Sequence, residues 1–264
     1  MPGLNIIVTV KQVPDTTEVR IDPRTNTLMR EGIPSILNPE DGNAVETALR
    51  LREQHGGTVV VLTMGPPQAE EVLEEAIAMG ADRGVLLTDR AFAGSDTLIT
   101  AFTLSRAIMK IGGWDLVLCG RQAIDGDTAQ VGPQIAGFLG VPQVTCASEI
   151  SCAGEGLTVR RTLEDCTQWV RVRTPALITV TAEINRPRYA SLYNIETACD
   201  GSLIKRWDAG SLNLPASMLG LNASPTGVKK IFEPERSIRG EVITGDDREM
   251  VQTLIGKLKN KNLI

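Results

Sequence analysis

The part of this chain with the most chemical content is WDLVLCGRQAIDGDTAQVGPQIAGFLG, residues 114–140, where short polar side chains and glycines sit between two apolar segments. Asp125, Gly126, Asp127 and Thr128 supply a pliant backbone and side chains suited to capping a helix or holding polar ligand groups. Before them, Leu116, Val117, Leu118 and Cys119 form the continuous apolar run of a strand buried on both faces, ended by Gly120. After them, Val131, Ile135, Phe138 and Leu139 recur at helical spacing. Strand, loop and helix start in that order place free N–H groups and a positive dipole end at the carboxyl edge of a sheet, where open α/β folds bind phosphorylated ligands. The loop is neither GxGxxG nor GxxxxGK[ST], so it is neither a dinucleotide fingerprint nor a P-loop. An ordinary strand-to-helix turn with capping carboxylates would use the same residues.

Other reactive side chains are sparse. Five cysteines, Cys119, Cys146, Cys152, Cys166 and Cys199, are scattered without a CxxC, so neither zinc nor iron–sulfur ligation is supported and no metal site is expected. The single histidine, His55, lies at an apparent helix end, a routine place for a cation. Without a second histidine or a nucleophile elbow, hydrolytic triad chemistry has no support, and no residue is assigned a catalytic role. A net charge of −5 without a basic cluster argues against nucleic acid. No run of 18 apolar residues and no leader pattern are present, so neither a membrane span nor a signal peptide is expected and the cytoplasm is inferred.

The elements that must position this loop follow from alternation. LNIIVTV, residues 4–10, reads as a central strand, followed by KQVPDTTE, in which Pro14 stiffens a polar turn containing Asp15, Thr16 and Thr17. RIDPRTNTLMREG reads as a hairpin with Asp22-Pro23 and Thr25-Asn26 as turn formers. A helix capped by Asn38 or Asp41 and stopped at Gly56-Gly57, the strand TVVVLTM, a helix ended by Gly80, the strand GVLLTD and a long helix beginning near Ser95 come next. Strand–helix alternation at this pitch predicts a doubly wound, mostly parallel sheet with right-handed crossovers. After Pro142, QVTCASEISCAG, LTVRRTLED, TQWVRVRT and ALITVTAE alternate as β-strands, expected to add antiparallel hairpins. From Asn185 periodicity fades, and the segment to Gly240, with Pro187, Pro215, Pro225 and Pro234, reads as an extended arm that lies on a partner, before a last helix capped by Asp246 or Asp247. The expected division is therefore residues 1–184, an α/β nucleotide-binding domain, and 185–264, a recognition loop, arm and terminal helix.

Taken together, these residues resemble the beta subunits of electron transfer flavoproteins, from Asn5 to the C-terminus. VRRTLEDCTQWVRVRTPALIT carries the family signature through Arg161, Glu164, Asp165, Gln168, Val170 and Pro175, with Cys166 as a departure. On physical grounds Arg161, Glu164 and Asp165 read as a solvated charge cluster on a strand pair, marking the family and carrying no chemistry. QAIDGDTAQVGP is similar to the family's adenine-nucleotide loop and RYASLYNI to its dehydrogenase-recognition loop. KQVPDT and DRAFAGSDT look like the flavin-bifurcating branch, whose beta subunit holds FAD where other members hold structural AMP.

The resemblance implies Thr9, Asn38, Asp41, Thr63 and Met64 around the adenosine. It implies Gln122, Asp125, Gly126, Asp127, Thr128, Gln130, Val131 and Gly132 around adenine, ribose and phosphates, and Phe92, Gly94 and Thr97 along the diphosphate and flavin half. Arg188, Tyr189, Leu192, Asn194 and Ile195 would meet an acyl-CoA dehydrogenase-type partner. It further implies a heterodimer with an alpha subunit, NADH as hydride donor, and ferredoxin or flavodoxin as low-potential acceptor. The redox chemistry belongs to the flavin, and the protein supplies position and electrostatics.

Overall fold

The computed structural model describes residues 3–15, 20–22, 27–29, 34–153, 156–229 and 240–264. The chain forms two compact units, residues 1–229 and 230–264. In the first, β1 (Leu4–Thr9) leads through β2 (Gln12–Pro14), the antiparallel pair β3 (Arg20–Asp22) and β4 (Thr27–Met29), and β5 (Ser35–Leu37) into α1 (Pro39–His55). Then β6 (Gly57–Met64), α2 (Glu70–Met79), β7 (Arg83–Leu87), α3 (Thr97–Ile111), β8 (Leu116–Gly120) and α4 (Val131–Leu139) alternate as the spacing predicts. β9 (Gln143–Ala153), β10 (Gly156–Thr162), β11 (Thr167–Arg173), β12 (Ala176–Val180), α5 (Leu192–Cys199), β13 (Ile204–Trp207) and α6 (Gly220–Ala223) complete this unit. The second contains α7 (Asp247–Asn260), capped by Asp246 as expected.

Among the described residues, nine strands form one sheet in the order β11-β10-β9-β12-β8-β1-β6-β7-β13. From β9 to β13 every neighbour is parallel, while β9, β10 and β11 form an antiparallel meander. The fold is the expected doubly wound α/β sheet with added hairpins. Alternate residues of each strand serve opposite layers. Ile6, Val8, Val59, Val61, Leu116 and Leu118 pack with Ala48 and Leu49 of α1 and Leu73 and Ala76 of α2. Ile7, Val60, Leu62, Val117 and Cys119 pack with Leu104 and Ile108 of α3 and Ile135 of α4. A strand covered on both faces has no polar side to show, which is why these runs are continuously apolar. Each fully buried Ile or Leu contributes about 1.5–3 kcal/mol to holding the layers together.

The layer assignment also locates the site. α1 and α2 carry the chain from β1 outward to β6 and β7 on one face. α3 then returns on the other face to β8, on the opposite side of β1. The winding direction reverses between β1 and β8, whose carboxyl ends lie in register as Thr9 and Cys119. Such a switch point opens a crevice at the carboxyl edge.

Two segments differ from the sequence reading. ALITVTAE, grouped with the hairpins, forms β12, which lies parallel to both β8 and β9 and is buried along its whole length. Its unbroken apolar run fits a two-faced central strand better than a hairpin arm. Residues 185–229 hold more regular structure than fading periodicity suggested. α5 packs near α2, and β13 closes the sheet edge against β7, from Ile204↔Gly84 to Trp207↔Leu87. These elements are only four to eight residues long, too short for a helical or strand period to declare itself. Thr16, Thr17, Pro23, Thr25, Asn26 and Pro234 lie outside the described residues.

Candidate functional site at the sheet's switch point

The loop from Gly120 to Gln130 lies across the β1/β8 crevice and is held there by the start of α1. Asn38 occupies the N-cap position of that helix, yet its side chain makes no capping bond. Instead its Nδ2 donates to the Gln122 carbonyl at 2.9 Å, and its Oδ1 accepts from the Ile124 N–H at 3.2 Å. Glu40 Oε2 accepts from the Gln122 N–H at 3.0 Å, and Oε1 pairs with Arg121 at 3.2 Å. Asp41 Oδ1 accepts from the Gly120 N–H at 3.0 Å, and Oδ2 from the Lys11 N–H at 2.9 Å. The tetrad Asn38-Pro39-Glu40-Asp41 thus grips loop backbone with each of its three polar side chains. Only glycine allows this approach at position 120, since a Cβ there would lie 2.5 Å from Asp41 Oδ1. Burial pushes the Asp41 carboxyl up to about 7 against the opposing pull of its hydrogen bonds, and pushes the neighbouring Cys119 thiol up to about 12, so the thiol stays neutral.

Asn38 and Asp41 were expected around an adenosine. Both are buried and their polar atoms are committed to backbone, so they act on the crevice through the loop. Thr9 is buried as well, its hydroxyl beside the Cys119 thiol. Within the loop, Lys11 Nζ pairs with Asp125 at 2.7 Å, and Gln122 Nε2 donates to Asp127 Oδ1 at 2.7 Å. Asp127 and Ala129 bend the chain with φ of 51° and 53°. Gly126 is open on all sides and Thr128 is exposed. With both aspartates engaged elsewhere, no side chain caps α4, whose first turn holds Val131 and Gly132. Gly132 lets this turn sit on the sheet, for a Cβ would come within 2.8 Å of Cys119 Sγ and Thr179 Cγ2.

Three buried side-chain polar atoms among the described residues lack a partner, Thr63 Oγ1, Arg121 Nε and Gln134 Oε1. Thr63 stands near the end of β6 beside Met64, Arg121 follows β8, and Gln134 is in α4. All belong to the carboxyl side of the sheet. Unpartnered buried groups are rare and each calls for an explanation; a polar ligand in the crevice supplies one. The uncapped start of α4, where Gln134 is one of the three, suits an anionic group such as a phosphate. The residues present therefore fit a polar, phosphorylated ligand.

The neighbouring 89–97 loop is built differently. Asp96 caps α3 by accepting from the Ile99 N–H at 3.1 Å and reaches Thr226 with its other oxygen, at 2.8 Å from the hydroxyl. That end is already occupied by a carboxylate. Phe92 is buried in the α3 layer, and Gly94 is explained by φ of 74° and by Leu221, whose Cβ would lie 3.0 Å from an added Cβ. Thr97 joins the two loops, its hydroxyl bonding Gln130 Oε1 at 2.9 Å and accepting from Gln134 Nε2 at 3.3 Å.

Residues 188–195, expected to meet a dehydrogenase, lie apart from the crevice, held to α1 and packed near α2. Arg188 is tied down by Glu46 at 2.7 Å and Glu53 at 2.5 Å. Ser191 caps α5 through the Asn194 N–H. Tyr189, Leu192 and Tyr193 are 99%, 87% and 78% exposed, with Ile195 half-exposed. Leu192 does not pack on its own subunit. Glu40, Lys11 and Arg121 were missed by sequence reading, because a charged residue at a helix start or strand end gives no local sign of the distant loop that it reaches.

In class, then, this is an open doubly wound α/β protein whose polar site is assembled at the switch point. Residues 25–206 match the electron transfer flavoprotein domain. An electron transfer flavoprotein subunit beta of Thermoanaerobacterium thermosaccharolyticum is 52% identical over 99% of this chain and all of its own length. The caffeyl-CoA reductase-Etf complex subunit CarD of Acetobacterium woodii is 49% identical, and the acryloyl-CoA reductase electron transfer subunit gamma of Anaerotignum propionicum 44%, each over 99% of this chain and its own full length. The chain belongs to the electron transfer flavoprotein family, on its beta-subunit side. Among the described residues there is no metal-ligating cluster and no helix long and apolar enough to cross a membrane.

Proposed function

We propose that this chain, paired with an alpha subunit, binds FAD in the switch-point crevice, and that this flavin accepts a hydride from NADH. One electron then goes to a low-potential acceptor, ferredoxin or flavodoxin, and the other through the alpha-subunit FAD to an acyl-CoA dehydrogenase-type partner. The carrying observation is the uncapped start of α4, with Gln134 Oε1 unpartnered in its first turns and Thr97 drawing the DRAFAGSDT loop to the same lip. Relatives named for caffeyl-CoA and acryloyl-CoA reductase complexes support the assignment to an acyl-CoA-linked system. Gln122, Gln130, Val131 and Gly132 face the nucleotide in this reading, while Asn38 and Asp41 set the loop. Residues 185–264 serve partners, with Tyr189, Leu192, Asn194 and Ile195 meeting the dehydrogenase and Arg188 anchoring that stretch.

A second reading, structural AMP in place of FAD, is favoured by one observation. Phe92 and Gly94, expected along a flavin, are fully accounted for by packing. Acid extraction of the purified heterodimer followed by chromatography separates the two. Two FAD per heterodimer with little AMP is the expected result; one FAD with stoichiometric AMP overturns bifurcation and leaves an ordinary electron carrier.

A further inference from the structure

We propose that Asp41 is the positioning residue of this crevice, its ionised carboxylate tying the strand ends on both sides of the switch point into the spacing that receives the nucleotide. The inference rests on the reading that an adenine nucleotide binds there. It goes beyond it in assigning control of the site to a residue that need not touch the ligand.

The geometry is that of a two-handed brace. One oxygen holds the N–H of Gly120, at the end of β8, and the other holds that of Lys11, just beyond β1. Those strands are parallel neighbours through Thr9↔Cys119, and past that register no ladder bond joins them. Asp41 continues the connection where the ladder stops. Both brace points lead directly into crevice groups. Lys11 carries the ammonium that holds Asp125, and Gly120 precedes Arg121 and Gln122. A charged acceptor makes hydrogen bonds roughly twice as strong as a neutral one. Protonation leaves one oxygen as a hydroxyl facing an N–H, so one of the two arms lets go.

The surroundings are arranged so that this change falls near neutral pH. Asp41 is buried, and the charged group on its own helix that faces it, Glu40, opposes its ionisation. From β8 the Cys119 thiol is its neighbour and remains uncharged. The cations that could stabilise it directly are turned to other carboxylates, Lys11 to Asp125 and Arg121 to Glu40. Asn38 and the two backbone N–H groups are what hold the carboxylate, and burial nevertheless leaves its pKa at about 7.

The test is an amide titration of the heterodimer with its switch-point crevice freed of nucleotide and this chain alone labelled with ¹⁵N-Gly and ¹⁵N-Lys, followed between about pH 5.5 and 8.5. The Gly120 and Lys11 resonances are expected to move together with a midpoint near 7. In parallel, AMP and FAD affinities are measured calorimetrically across the same range for the wild type and Asp41→Asn. Wild-type affinity should fall on acidification with the same midpoint, while the variant binds on the order of tenfold more weakly and without that pH dependence. Amides that do not titrate, or a variant that binds as the wild type does at every pH, overturn the brace. Because the wild-type titration stands without the variant, a poorly folding Asp41→Asn does not rescue the idea. Titrating amides in a heterodimer whose switch-point crevice binds neither AMP nor FAD would remove the nucleotide reading and leave the brace standing.

Discussion

At the scale of single residues the most consequential chemistry is the burial of Asp41. Its folded pKa of about 7 lies above the ordinary carboxylate value of 3.8, so between these limits the native chain binds a proton that the unfolded chain does not. Unfolding free energy from this group is therefore greatest below the lower limit and declines as pH rises to about 7, with a slope of up to about 1.4 kcal/mol per pH unit. Melting temperatures taken across that interval should show a component of alkaline destabilisation in the wild type that disappears in Asp41→Asn. An identical pH dependence in both proteins would place the Asp41 pKa at its unfolded value. The brace that orders the crevice thus opposes stability, a trade that functional sites commonly make. Of these residue roles the sequence told only part. The loop residues 122–132 could be singled out because glycines and short polar groups between a strand and a helix have few other uses. That Asn38 and Asp41 would hold the loop from behind could not be read, since helix-start carboxylates and amides look alike whether they cap their own helix or reach across more than 70 residues.

At the scale of elements, α3 and α4 show how two similar helix starts diverge. Asp96 closes the first with its own carboxylate, whereas the aspartates ahead of α4 turn to Lys11 and Gln122 and leave the second open. Strand–helix alternation was legible through α4 because each element is long enough to show its period. It faded beyond residue 185 because α5 and β13 draw their stability from α2 and β7. α5 also carries a test of partner recognition. Leu192 stands 87% exposed at its first position, beside Tyr193 and a shallow groove lined by Arg52, Asp82 and Asn194. Leu192→Ala should leave the melting temperature and flavin content close to wild type while weakening docking to the dehydrogenase, read as slower electron delivery, by about ten- to a hundredfold. A variant that melts several degrees lower and delivers electrons normally would make Leu192 a packing residue.

For the whole molecule, the exposed apolar residues have a consistent meaning. Val251, Leu254 and Ile255 line one side of α7 at helical spacing, and Val228 and Val242 are more than four-fifths exposed. Such residues are stable in water when a second chain covers them. Expressed without an alpha subunit, the chain should be cut by protease within residues 185–264 outside β13 well before the sheet is, and co-expression should protect these bonds. Equal resistance of sheet and C-terminal region in the isolated chain would count against an obligate heterodimer. The position of β12 bears on how such a molecule comes into being. The strand that joins β9 to the parallel sheet leaves the ribosome after β9, β10 and β11, so the meander emerges with no place in the sheet to occupy. During synthesis it must either persist as a free three-stranded piece or wait unpaired until residues 176–180 appear. The β7 edge stays open longer still, until residues 204–207 arrive to close it. Completion of the sheet is therefore deferred to the last quarter of translation, just before the residues of α7 are made.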